Sequence, residues 1–305
     1  MLALPDVIRD DRPAYRPYRA TLTDITSLSP TFRRLTFSST DFEYFAPHGL
    51  DQRIKLLFPI DGRVADLGDG ASWVETWRGL PDAQRNPMRT YTVRAIRPEV
   101  REIDIDFVFH GDGGPAARWL SSAAPGAELV IVGPDARSLT STGGIDWHPG
   151  AARELLLAGD ETAAPAICSI LESLPAHVRA RAFIEVPHAA DALPVVSSAN
   201  VEVTWLGRDA AVGGLESAVR TWAAGNLAVY APALARTTQE LDDVDVDVEL
   251  IWDAPEAAPG DFYAWIAGES AMIKSLRRFL VSELGIDRKR VAFMGYWRLG
   301  KAEGS

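Results

Sequence analysis

ELLLAGDETAAPAICSILESLP, residues 154–175, decides the architecture of this chain. It opens on a short apolar run, ELLLAG, of the kind that forms a strand buried on both faces. Asp160, Glu161 and Thr162 then turn the chain, and Ile167, Ile170 and Leu171 form the apolar middle of a helix. A strand, a glycine, polar residues and a helix make a βα turn, and in an open parallel sheet such turns line the ligand crevice. Asp160 or Thr162 is the expected helix cap. The alternation continues downstream. RAFIEVP, VEVTWLGR, DFYAWIAG and VAFMGYW read as strands, and LESAVRTWAAG as a helix ended by Gly225 as a left-handed cap. The clearest helix is SAMIKSLRRFLVSELG, residues 270–285. Ser270 is its expected N-cap, Met272, Ile273, Leu276, Phe279, Leu280 and Leu284 form one stripe, and Gly285 stands at the stop. Residues 151–305 are therefore expected to form a doubly wound α/β domain on a mostly parallel sheet.

Upstream the rhythm changes. Residues 136–150, ARSLTSTGGIDWHPG, have the composition of an interdomain linker. Residues 18–133 read as short strands separated by turns, which predicts an antiparallel barrel within a first domain spanning 1–135. Two strands flank Ser29-Pro30, and others lie at 52–59, 101–109 and 127–132. In REIDIDFVF, Ile103, Ile105, Phe107 and Phe109 face one way and Asp104, Asp106 and Val108 the other. The segment between Pro59 and Met88 shows little pattern, with room for one short helix around Trp73 and Trp77.

The chain has 305 residues, enough for two domains, with 31 basic against 42 acidic residues and a net charge of −11. That balance argues against a nucleic-acid binder and against stable association with anionic membranes. The single cysteine, Cys168, excludes an internal disulfide, a four-cysteine iron–sulfur cluster and a thiolate zinc site. No apolar run is long enough to span a bilayer and no signal peptide is recognisable, so a cytoplasmic location is expected. His48, His148, His177 and His188 lack metal-ligand spacing and read as surface or loop residues.

Two further segments carry chemistry. In RTYTVR, residues 89–94, a strand would put Arg89 and Tyr91 on one face and Thr90 and Thr92 on the other. The arginine suits a phosphate and the tyrosine an aromatic ring system. In HGDGGPAARWL, residues 110–120, glycines precede Pro115 at an expected helix start, where unpaired backbone N–H groups attract anions. The dinucleotide fingerprint GxGxxG is absent.

Taken in order, QRIKLLFP, RTYTVR, DFVFHGDGGPAARW, LLLAGDETAAPAI, AWIAGES with LRRFL, and the terminal GYWRLG resemble the siderophore-interacting protein family. These are flavin-dependent ferric-siderophore reductases within the ferredoxin-reductase-like superfamily. The resemblance implies an FAD-binding barrel followed by an NAD(P)H-binding domain, and reduction of ferric siderophores with electrons from NADH or NADPH. It implies that Arg89 meets the phosphates of FAD, Tyr91 stacks on the isoalloxazine and Thr92 contacts its edge. It implies that His110 lies along the cofactor, that Gly114, Pro115, Ala116 and Ala117 form the pyrophosphate turn, and that Asp160, Glu161 and Thr162 stand where flavin and nicotinamide meet. Lys55, Lys274 and Arg298 are the implied basic substrate residues. Arg208, after VEVTWLG, is a candidate for the 2′-phosphate of NADPH, and a ferredoxin donor stays open. So do two other readings: a general flavin or protein-partner reductase, and a non-catalytic ferric-siderophore binding protein.

Overall fold

The computed structural model describes residues 7–68, 70, 72–109, 114–210, 213–241, 251–256 and 260–300. The chain divides between Ile145 and Asp146 into two compact units.

In the first unit β1 (Tyr15–Ser27), β2 (Phe32–Ser38), β3 (Arg53–Leu57), β4 (Met88–Thr92), β5 (Ala95–Arg97), β6 (Glu102–Val108) and β7 (Glu128–Pro134) make one antiparallel sheet, ordered β4-β3-β7-β1-β2-β6-β5. Two features curl it. The register of β1 against β2 shifts between Leu22 and Asp24, and such a bulge bends a strand. The two edge strands, β4 and β5, are also joined by only Val93 and Arg94. The chain thus brings one edge of the sheet round to the other, and Tyr91 on β4 reaches Phe107 on β6 with ring centroids 4.3 Å apart. The inside is filled by Tyr18, Leu35, Phe37, Ile54, Leu56, Ile103, Ile105 and Phe107. Between β3 and β4 lies α1 (Trp73–Gly79), which sets Trp73 and Trp77 against a smaller cluster around Leu57, Val130 and Val132. Between β6 and β7, α2 (Pro115–Ser122) packs Trp119 against Phe37 and Phe58.

The other face of β6 is also buried, and its charges are matched. Arg97 takes both oxygens of Asp104 at 2.7 Å, and Arg34 takes those of Asp106 at 2.7 and 2.8 Å. Burial pushes the Asp104 carboxyl up, but Arg97 and the Thr36 hydroxyl outweigh it and hold the group below its ordinary range. Residues 136–144 lie on this unit. Ser138 donates to the Arg12 carbonyl at 2.7 Å, and Arg53 N–H donates to the Gly144 carbonyl at 2.9 Å. His48, expected near the surface, is 4% exposed and sits 3.2 Å from the Ser141 hydroxyl.

In the second unit β8 (Glu154–Gly159), β9 (Arg179–Val186), β10 (Asn200–Gly207), β11 (Trp252–Asp253), β12 (Phe262–Glu269) and β13 (Val291–Trp297) form a sheet ordered β10-β9-β8-β12-β13-β11. All neighbours are parallel except β11, which runs antiparallel to β13. The helices α3 (Ala164–Ser173), α4 (Leu215–Gly225), α5 (Leu227–Tyr230) and α6 (Ser270–Arg277) connect the strands. The strand order reverses between β8 and β12, which makes their carboxyl ends a topological switch point. The helix expected over 270–285 passes from α6 into a π-helical stretch, Arg278–Glu283, and Gly285 closes it at φ +79°. Ile273, Leu276 and Leu280 are fully buried, as the stripe predicts. Three caps differ from expectation. Ala163, not Asp160 or Thr162, is the N-cap of α3, and it makes no side-chain capping bond. Glu269, not Ser270, is the N-cap, accepting from the N–H groups of Ala271 and Met272. Gly225 is not left-handed; α4 ends on Asn226 at φ −128°.

Candidate functional site

The first unit brings together Arg89 and the start of α2. Gly114 is the N-cap and Pro115 the first helical residue, so proline's missing N–H falls where no intrahelical partner exists. The first turn carries no acidic residue, and the cap offers no side-chain acceptor. The first intrahelical bond runs from Arg118 N–H to the Gly114 carbonyl, at 3.1 Å, so the N–H groups of Ala116 and Ala117 precede the ladder. A Cβ placed on Gly114 would stand 3.7 Å from Nη2 of Arg89. A guanidinium therefore adjoins a helix N-terminus whose first turn supplies no carboxylate of its own. This donor set suits a pyrophosphate. His110 lies outside the described residues.

The register of β3 against β4 divides the other candidates between the two faces of this ribbon. Leu56 opposes Arg89 and Ile54 opposes Tyr91, so both functional side chains share the face of two core residues. Tyr91 is half-buried against Phe107. Lys55 opposes Thr90 and hydrogen-bonds its hydroxyl, while Arg53 opposes Thr92. Lys55 thus shares a face with Thr92, one pair away, and stands on the face opposite Arg89 and Tyr91.

In the second unit the switch point is organised by Asp160, which is 3% exposed. Its Oδ1 accepts from Thr162 N–H at 2.9 Å and from the Thr162 hydroxyl at 2.5 Å. Its Oδ2 accepts from Glu269 N–H and from the Trp297 indole N–H, each at 2.8 Å. Two donors per oxygen use the in-plane lone pairs of the carboxylate. Burial pushes this carboxyl up, the hydroxyl of Thr162 pulls it back, the neighbouring Glu161 raises it again and the Trp297 indole lowers it, with the upward influences prevailing. The surroundings allow only glycine at two places. A Cβ on Gly159 would lie 2.5 Å from that of Ala163, and one on Gly268, which has φ +147°, would lie 2.6 Å from Oδ2 of Asp160. The sequence placed Asp160 and Thr162 at this turn. It did not show that Trp297, in the terminal GYWRLG, joins them.

Trp297 precedes Arg298, and its carbonyl accepts from the Ser270 hydroxyl at 3.0 Å, so the end of β13 is held against the start of α6. Lys274 lies midway along α6, half-buried. Arg277, three residues further on, is 7% exposed and paired with Asp253. Arg208 follows β10 directly. It grips Glu161 through two nitrogens, at 2.6 and 2.9 Å, and reaches Glu185 on β9 at 3.2 Å. Among the described residues no helix is long and apolar enough to cross a membrane, and no group of three or more His, Cys, Asp or Glu could hold a metal ion.

Comparison with known proteins matches both units. Residues 21–138 match the model of the siderophore-interacting FAD-binding domain, and residues 152–300 that of the siderophore-interacting protein family. The chain is 29% identical over 281 residues to the ferric vibriobactin reductase of Vibrio cholerae, covering 90% of this chain and 87% of that one. Among solved structures, the siderophore-interacting protein SipS from Aeromonas hydrophila aligns with a TM-score of 0.64 and 30% identity over 95% of each chain. A siderophore utilization protein from T. fusca aligns with a TM-score of 0.69 and 25% identity over 97% of each.

Proposed function

This chain belongs to the siderophore-interacting protein family, and on that premise we propose that it reduces ferric siderophores, with FAD as resident cofactor and NADH or NADPH as donor. The observation that carries the reading is the Arg89 guanidinium beside the start of α2. In this reading Arg89 and the N–H groups of Ala116 and Ala117 hold the FAD pyrophosphate, with Gly114 and Pro115 shaping the turn. Tyr91 supports the flavin ring and Thr92 its edge. Asp160 fixes the turn after β8, so that its backbone and Thr162 define the floor of the nicotinamide crevice.

FAD, when bound, takes up a hydride and gives out its electrons singly. One NADH or NADPH thus reduces two ferric chelates to ferrous chelates, with release of NAD(P)⁺ and one proton. Oxygen-rich siderophores are hard ligands that hold ferric iron far better than ferrous, so reduction loosens the metal. A protein of charge −11 must receive an anionic chelate through local positive charge. Lys55, on the Thr92 face, is the first residue proposed for that role, with Lys274 and Arg298 in the second unit. Dependence on a nicotinamide donor supports a cytoplasmic location for the reaction.

The purified protein should show flavin absorbance or take up added FAD. Under anaerobic conditions NADH or NADPH should drive ferric-chelate reduction faster than reduction of free flavin or a ferredoxin. A protein that cannot be loaded with FAD refutes the proposal. A loaded protein that reduces free flavin or ferredoxin but no ferric chelate replaces it with the general-reductase reading.

A further inference from the structure

We propose that the cluster Arg208–Glu161–Glu185 makes this protein select NADH and reject NADPH, an inference that rests on the reading of the second unit as its nicotinamide-nucleotide domain. In a doubly wound sheet the ribose of the adenosine is read near the end of the second strand. An acidic group there takes the 2′-hydroxyl, or a nearby arginine takes a 2′-phosphate. Counted from the switch point, that strand is β9, with Glu185 next to its end and Arg208 just beyond the adjacent β10. Sequence alone makes Arg208 a candidate for a 2′-phosphate and leaves NADH against NADPH open. The geometry assigns it otherwise.

The Arg208 guanidinium is committed to two carboxylates of its own chain, bidentately to Glu161 at 2.6 and 2.9 Å and singly to Glu185 at 3.2 Å. The Glu161 side chain is 4% exposed, so detaching Arg208 would take a bidentate cation from a buried negative charge, which is costly. Glu185 does more than pair. Its second oxygen accepts from Leu215 N–H at 2.8 Å, at the first residue of α4. The helix N-terminus that could have received a phosphate therefore already holds a carboxylate. Asp209, the next residue, is engaged elsewhere: it accepts from Ala189 N–H at 2.9 Å and faces His188 Nδ1 at 3.3 Å.

One guanidinium thus stands between two carboxylates. A 2′-phosphate brings roughly 1.5 to 2 further negative charges. Three of the five N–H donors of Arg208 already serve carboxylates, so a phosphate would have to share the guanidinium with them. A 2′-hydroxyl is neutral and donates to a carboxylate without disturbing the pairs. Discrimination here comes more from a penalty on the wrong ligand than from extra attraction for the right one.

Calorimetric titration of the FAD-loaded protein with NAD⁺ and NADP⁺ tests this without turnover, and initial rates with NADH and NADPH against a ferric chelate run beside it. NAD⁺ should bind at least tenfold tighter than NADP⁺. Glu161→Gln and Glu185→Gln each remove one negative charge while keeping an amide oxygen as acceptor. Each should narrow the NAD⁺/NADP⁺ ratio at least fivefold, chiefly by tightening NADP⁺, and 2′,5′-ADP should compete better with them than with the parent. If one variant fails to fold, the other carries the test. Equal or tighter NADP⁺ binding by the parent, an unchanged ratio in the folded variants, or no binding of either nucleotide overturns the inference. The underlying reading fails separately. Clear NAD⁺ preference without ferric-chelate reduction refutes the reductase and leaves the selectivity. Chelate reduction driven best by NADPH does the reverse.

Discussion

Asp160→Asn keeps the outline of the side chain and changes one oxygen to an NH₂. Four donors converge on the native carboxylate: Thr162 N–H, the Thr162 hydroxyl, Glu269 N–H and the Trp297 indole. Three of them are N–H groups that cannot reverse; only the hydroxyl can turn and accept. The cheapest arrangement therefore points the new NH₂ toward Thr162, keeps the oxygen toward Glu269 and Trp297, and strands Thr162 N–H. A stranded buried donor costs about 1–3 kcal/mol. The two surviving bonds also lose charge assistance, which roughly doubles hydrogen-bond strength. The expected loss is about 2–4 kcal/mol, or a thermal midpoint lower by about 4–16 °C for a domain of this size. Circular dichroism melts of the parent, Asp160→Asn and Thr162→Val would measure it, with Thr162→Val losing only about 1 kcal/mol for its single hydrogen bond. A midpoint for Asp160→Asn within the error of the parent would mean that the carboxylate faces the crevice as a ligand and that its role in holding the turn is wrongly assigned.

Arg89→Ala should weaken FAD binding by about ten- to a hundredfold, the loss of one charge-assisted pair, as read by fluorescence titration; an unchanged dissociation constant removes Arg89 from the cofactor site. Leu276→Ala, at a fully buried position of α6, should destabilise by about 2–5 kcal/mol in guanidinium titration, and a change below about half a kilocalorie would mean the helix packs by another face. Lys55→Ala should raise KM for an anionic ferric chelate more than it lowers kcat, and added salt should shrink the effect; equal losses on a neutral chelate would make Lys55 a packing residue. Burial pushes the His48 imidazole below its ordinary 6.5. The unfolded chain therefore takes up the proton first as pH falls, and the stability present above 6.5 is lost as pH drops through the folded value. His48→Gln should flatten that part of the curve of melting temperature against pH, and an unaltered slope would place the titrating group elsewhere.

The periodic parts of the fold were legible because periodicity reports burial directly. Ile103, Ile105 and Phe107 alternate along β6, and Ile273, Leu276 and Leu280 recur along α6 and its continuation. The strand that carries the candidate site was legible in RTYTVR, whose alternation matches the two faces of β4. What sequence could not show was pairing at a distance. Asp104 and Asp106 occupy the polar phase of their strand yet are buried, because Arg97 and Arg34 meet them. Arg208 looks available until Glu161 and Glu185 are placed beside it. Ser270 looks like a cap until Glu269 reaches forward past it to the same N–H groups. The edge strand β11 has two residues, too short to show any period.

The bond between Asp160 and Trp297 joins residues 137 positions apart. During synthesis at roughly 5–20 residues per second, the turn after β8 waits about 7–27 s for the indole that completes it. The first unit waits nearly as long, since β1 pairs with β7 and the Ser138 hydroxyl meets the Arg12 carbonyl across 126 positions. A chain that ends just before residue 297 lacks one of the four donors to the Asp160 carboxylate. Loss of Trp297 is therefore felt at the switch point between β8 and β12, far from it in sequence.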